Sequence, residues 1–124
     1  MRIFKTKSLA RFTKREGIGE ASLGAAAEDA GRGLIDADLG GGVVKQRVAR
    51  TGQGKRGGYR VLIAFRSMDR AIFIFIFGFA KSARDNIDEL ELRTLREVGA
   101  YWLAADDTKL LQAIRDGLLI EVKR

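Results

Sequence analysis

Residues Ala71 to Phe79 read AIFIFIFGF, isoleucine and phenylalanine alternating with no polar residue between them. β-Branched and aromatic residues at a period of two specify an extended strand. Isoleucines then occupy one face and phenylalanines the other, so both faces need shielding from water. A chain with such a strand requires a sheet covered on both sides, with this strand near its centre. Extended to Ala80, the run is also the longest apolar stretch, at ten residues, about half of what spans a bilayer.

The neighbouring segments supply the rest of that sheet and its cover. Tyr59 to Arg66 alternates, with Tyr59, Val61, Ile63 and Phe65 opposite Arg60, Leu62, Ala64 and Arg66. Ser67-Met68-Asp69-Arg70 is a short turn, which predicts an antiparallel hairpin with the apolar strand. Val43 to Ala49 alternates too, Val44, Gln46 and Val48 against Lys45 and Arg47. Arg2 to Lys5 is a candidate first strand. Helices are predicted at Ser8 to Glu16, ended by Gly17, and at Glu20 to Ala30. Leu34 to Gly42 reads as a loop because three consecutive glycines interrupt any period. Asp88 caps a long helix through Ala105, with Glu91 three residues on and Leu92, Leu95, Gly99, Trp102 and Leu103 along one face. A short helix from Thr108 to Asp116, capped by Asp107, leaves LLIEVKR as a tail. Trp102 and the phenylalanine row are expected in the core. Together these elements predict one α+β domain over residues 1–124, with helices packed on a small, largely antiparallel sheet.

Charge narrows the function. The net charge is +7 and the pI near 10.1, which points to a polyanionic partner. From Leu39 to Met68 there is no acidic residue, while Lys45, Arg47, Arg50, Lys55, Arg56, Arg60 and Arg66 all fall inside. The absence of histidine and cysteine excludes disulfides, thiol nucleophiles, zinc fingers and His-based proton transfer within this chain. Asp36 with Asp38 and Asp106 with Asp107 are read as loop or cap residues rather than metal ligands. No metal or cofactor is expected. The N-terminal MRIFKTKSLARF lacks the long apolar region of a signal peptide, predicting a cytoplasmic protein with no membrane association.

Gly52-Gln53-Gly54-Lys55-Arg56-Gly57 has the spacing G-x-G-x-x-G. In a dinucleotide site those glycines lead into a helix whose amides hold the pyrophosphate. Here YRVLIAFR follows, a strand by its period, so the loop is a hairpin connection. Its basic tip suits a phosphodiester backbone. Lys45 and Arg47 share a strand face, Arg60 comes from the next strand, and Lys81 lies just beyond the third. Their convergence depends on a register that the sequence does not carry. If they converge, two uses are open: a binding face, or a site for RNA cleavage by its own 2′-hydroxyl. Cleavage needs a base, charge stabilisation at phosphorus and an acid. Without histidine, a lysine with its pKa lowered by neighbouring cations is the available base, and arginines clamp the phosphate.

GGGVVKQRVARTGQGKRGGYRVLIAF, followed by FGFAKSARDNI and ELELRTLREVGAYWL, resembles the RelE-type toxins of bacterial type II toxin–antitoxin modules, closest to a HigB-like branch. The pattern is LGGG-x-x-K-x-R-x-A-x-x-G-x-GK-x-GGYR, then GFAK-x-x-R-x-NI. The resemblance implies a microbial-ribonuclease-like α+β fold and a ribosome-dependent mRNA endonuclease, or mRNA interferase. It also implies a cognate antitoxin, expected to be a helix-turn-helix protein, with operator DNA contacted only through the toxin–antitoxin complex. Carried over by position, Lys45, Arg47, Arg60 and Lys81 match the family's active-site residues, while Arg50, Lys55, Arg56, Arg66 and Arg84 are expected to hold RNA. The family's pattern has an arginine directly after the lysine matched by Lys81 and a tyrosine six residues beyond; this chain has Ser82 and Asp88, with Arg84 the candidate substitute for the arginine. The same fold also serves ParE-type toxins, which bind DNA gyrase without cutting RNA, so a gyrase-binding toxin and a non-catalytic RNA-binding module are the alternatives.

Overall fold

The computed structural model describes residues 1–49, 58–66, 72–84 and 86–123. In chain order its elements are β1 (Arg2–Thr6), α1 (Lys7–Glu16), α2 (Glu20–Gly31), β2 (Ala37–Gly40), β3 (Val43–Val48), β4 (Tyr59–Arg66), β5 (Ile72–Ala80), α3 (Glu89–Ala104), α4 (Asp107–Arg115) and β6 (Leu119–Glu121). Among the described residues the six strands form one sheet in the order β2-β3-β4-β5-β1-β6. Only the β1–β5 pairing is parallel. The predicted α+β architecture is therefore the observed one. No helix among the described residues is long and apolar enough to cross a membrane.

The apolar strand sits inside the sheet as its two-sided character requires, with β4 on one flank and β1 on the other. One apolar layer joins Leu9, Phe12, Leu23 and Ala27 of α1 and α2 to Val44, Val61, Ile63, Phe73 and Phe75. The other joins Leu92, Leu110 and Ala113 of α3 and α4 to Val43, Leu62, Ala64, Ile72, Ile74 and Ile76. The isoleucine and phenylalanine faces are thus distinct up to Ile76. Beyond it the expectation fails, because the register slips between Leu62 and Ile63: Ile63 pairs with Phe75 but Leu62 pairs with Phe77. The extra residue is a β-bulge, and it turns Phe77 onto the isoleucine face, where it packs with the second layer. Phe79 pairs with Arg60.

Two short strands lie where the sequence predicts none. Within the expected loop, β2 pairs antiparallel with β3. The glycines do not abolish that pairing; they form its turn, Gly40, Gly41 and Gly42 all having positive φ, at 82°, 63° and 80°. Within the expected tail, β6 pairs antiparallel with β1. α3 has the predicted capping box, Asp88 and Glu91 bonding reciprocally to each other's backbone amides. The cap of α4 is Asp106, one residue earlier than predicted, and Asp107 is its first helical residue. Gly78 has another task. A Cβ there would lie 2.5 Å from the Phe12 ring, so only glycine lets α1 lie this close to β5. The turn predicted at 67–70 lies outside the described residues.

Candidate functional site

The site begins with a cross-strand pairing. β3 and β4 are antiparallel with Lys45 opposite Leu62 and Arg47 opposite Arg60. Because strand side chains alternate, Lys45, Arg47 and Arg60 share one face. That is also the face on which Leu62 and Ala64 meet α3 and α4. The other face of β3 carries Val44, Gln46 and Val48, as predicted; all three are buried.

Gln46 does more than fill that face. Its Nε2 donates to the carbonyl oxygens of Leu34, at 2.7 Å, and Ala26, at 3.3 Å, which fastens the segment after α2 against β3. The Asp36 amide then donates to the Lys45 carbonyl at 3.0 Å. These backbone ties deliver the Asp36 carboxylate to the three cations. Its Oδ2 lies 3.2 Å from Arg60 Nε and 3.7 Å from Lys45 Nζ, and its Oδ1 lies 3.3 Å from Arg47 Nε. Burial pushes the Asp36 carboxyl up, but Arg60, Lys45 and Arg47 together outweigh it and hold the group below the ordinary carboxylate range. Asp36 is therefore an ion-pair centre and not a simple loop residue.

The three cations differ in exposure. The Arg60 side chain is only 6% exposed, and its Nη1 also donates to the carbonyl of the preceding residue, Tyr59. A guanidinium this deeply buried needs an anion or a hydrogen-bonding shell. The Arg47 side chain is 54% exposed. A shallow cleft of about 490 Å³, lined by Gly33, Leu34, Ile35, Asp36, Gln46 and Arg47, opens beside it. Lys45, expected among cations alone, has an anion beside it as well.

The remaining candidates are distributed around this centre. Lys81 is exposed, and its amide donates to the Gly58 carbonyl, which brings it to the Arg60 end of the β4–β5 ladder. Arg84 is bidentate on Glu91, donates from Nε to the Asn86 carbonyl and lies 5.8 Å from the Phe79 ring centroid. The hydrogen bond from Arg84 is the main cause holding Glu91 below its ordinary range. Ser82 is exposed, and Asp88 accepts from the Glu91 amide at 2.8 Å as the α3 cap. Arg66 is exposed at the other end of β4, about 20 Å from Arg60 at the usual strand rise. Arg50, Lys55 and Arg56 lie outside the described residues.

A mostly antiparallel sheet with helices on both faces, carrying a cation cluster on β3 and β4, is the frame of a small RelE-like α+β protein. A family sequence model described as "RelE toxin of RelE / RelB toxin-antitoxin system" matches residues 1–122. The chain belongs to that family: it is a toxin of a toxin–antitoxin system, and a cognate antitoxin is the partner this membership implies. A comparison with curated proteins finds no match.

Proposed function

We propose that this toxin is a metal-independent endoribonuclease that cleaves mRNA on the ribosome and so stops translation. The observation that carries the reading is the convergence of Lys45, Arg47 and Arg60 on a single carboxylate, beside an open cleft. Three cations directed at one pair of oxygens form a receptor for an oxyanion.

In this reading Arg47 and Arg60 hold the phosphodiester and stabilise the charge that develops at phosphorus. The 2′-oxygen attacks phosphorus, the bond to the 5′-oxygen breaks, and a 2′,3′-cyclic phosphate and a 5′-hydroxyl result. One proton leaves the 2′-hydroxyl and one reaches the departing oxygen. Lys45 and Lys81 are the groups assigned to those transfers, since arginine is a poor proton donor. Arg50, Lys55 and Arg56 hold the RNA backbone, with Arg66 and Arg84 as outer contacts. The reaction takes place in the cytoplasm, and a helix-turn-helix antitoxin restrains it, contacting operator DNA on behalf of the pair.

Inducing the chain without its antitoxin is expected to arrest growth and to yield new mRNA 5′ ends inside codons, and Arg60→Ala to remove both effects. Arrest with intact mRNA and inhibited gyrase would instead support a ParE-like toxin. One observation favours that second reading: Asp88, at the family's tyrosine position, is engaged as a helix cap.

A further inference from the structure

Asp36 is a carboxylate at the centre of a face read as a phosphate receptor, where it would repel an incoming polyanion. Its contacts resolve the contradiction. Its oxygens meet the cations in the way non-bridging phosphate oxygens would: Oδ2 accepts from Arg60 and is ion-paired with Lys45, and Oδ1 accepts from Arg47. A carboxylate and a phosphodiester each present two oxygens sharing one negative charge, so cations arranged for one are arranged for the other. Resting on the reading that this face takes RNA, we propose that Asp36 is an internal substitute for the substrate phosphate. It keeps Lys45, Arg47 and Arg60 in a phosphate-binding arrangement, and a phosphodiester of the bound RNA displaces it.

The geometry lets displacement occur without unfolding. The backbone is held independently of the carboxylate, by the Asp36 amide on Lys45 and by Gln46 on the Leu34 carbonyl. Rotation of the side chain alone withdraws the anion. The side chain is already 17% exposed, and the cleft it borders gives it room on the Arg47 side. Exchanging one anion for another leaves the buried Arg60 guanidinium partnered throughout. The benefit is preorganisation, since three like charges need not be gathered when RNA arrives. The cost is affinity, because the leaving carboxylate competes with the entering phosphate.

The test uses a short 2′-O-methyl RNA, which binds but lacks the attacking hydroxyl, with affinity read by fluorescence anisotropy. Asp36→Asn is expected to bind about fivefold tighter than wild type, the effect of removing one solvent-screened charge at about 4 Å. Asp38→Asn makes the same change in net charge two residues away, on an exposed side chain that accepts from the Gly40 amide; it should change affinity by less than about twofold at physiological salt, as an exposed charge farther from the phosphate acts weakly through water and salt. Equal or weaker binding by Asp36→Asn, or an equal gain from Asp38→Asn, overturns the proposal. A second measurement uses the unaltered protein. The ¹³C carboxyl resonance of Asp36 should move as RNA saturates the protein; a stationary resonance overturns the proposal whatever the stability of the variants. Binding indifferent to Arg47→Ala removes the RNA-site reading and this proposal together. Binding weakened by Arg47→Ala but not tightened by Asp36→Asn removes this proposal alone.

Discussion

Arg47 and Arg60 stand directly opposite one another in the β3–β4 ladder. Like charges in that relation destabilise a sheet, and here the Asp36 carboxylate lies between them, at 3.3 Å and 3.2 Å. The pairing places a local conflict of charge at the centre of the candidate site, which is where functional proteins tolerate one. Asp36→Asn should lower stability by about 1–3 kcal/mol, because the buried Arg60 guanidinium loses its compensating negative charge and the site loses one acceptor oxygen. Arg47→Thr should then restore about 0.2–1 kcal/mol in that background by removing one of the opposed cations. Urea unfolding of the four proteins in this cycle provides the check. An equal cost of Arg47→Thr in both backgrounds would mean that the two arginines do not conflict.

Affinity for RNA should depend on position and not on total charge. Arg47→Ala and Arg66→Ala remove the same charge from exposed residues on the same strand pair. The first belongs to the cluster and the second lies about 20 Å from it along β4. Arg47→Ala is expected to weaken binding of a short RNA by about tenfold, in the range for a charge-assisted hydrogen bond. Arg66→Ala should change it by no more than about twofold, because a short RNA seated on the cluster does not reach an outer contact about 20 Å away. Equal losses from both variants would indicate diffuse attraction without a site.

Much of this architecture is legible in the sequence because its signals are local. The strand at 72–80 announces itself by a period of two, and α3 by its apolar stripe and capping box. Lys45 and Arg47 share a face by spacing alone. β6 has three residues and no meaning until β1 lies beside it. β2 is hidden by the glycines that make its turn, and with it the reason for Asp36 to lie next to Lys45. An acidic residue just ahead of a glycine turn into a basic strand was the available signal; recognising β2 as an edge strand would have converted it into a contact. The bulge at Ile76 is equally silent, because an unbroken alternation of isoleucine and phenylalanine gives no hint of a slip.

Acid should act on stability through Asp36. Its folded pKa lies below the ordinary value of 3.8, so the carboxylate contributes stability above that pH and loses it as pH falls through the folded value. Glu91 and Glu121 are also held low, chiefly by hydrogen bonds from Arg84 and Arg2. They leave a residual slope in any Asp36 variant. Urea midpoints between about pH 2.5 and about pH 7, which bracket the carboxylate range, should fall more steeply for wild type than for Asp36→Asn below pH 3.8. Parallel curves would show that Asp36 contributes nothing to acid sensitivity.

The packing of α1 on β5 gives a prediction independent of function. Gly78→Ala puts a methyl group 2.5 Å from Phe12 Cε2 and 3.2 Å from Leu9 Cδ1. Overpacking of this kind costs about 1–3 kcal/mol. Phe12→Leu removes the obstructing ring, so Gly78→Ala should be less costly in that background. Thermal unfolding of the single and double variants tests this, and additive losses would refute the contact.

The position of β1 between β5 and β6 also sets an order of assembly during synthesis. The β3–β4 hairpin that gathers the cations joins strands close in the chain. β1 waits first for β5 and then for β6, and the Arg2–Glu121 ion pair at that edge joins residues 119 positions apart. At about 5–20 residues per second, a ribosome takes roughly 6 to 24 seconds to make that span. The strands that gather its charges can therefore pair while the edge that closes the sheet is still being made.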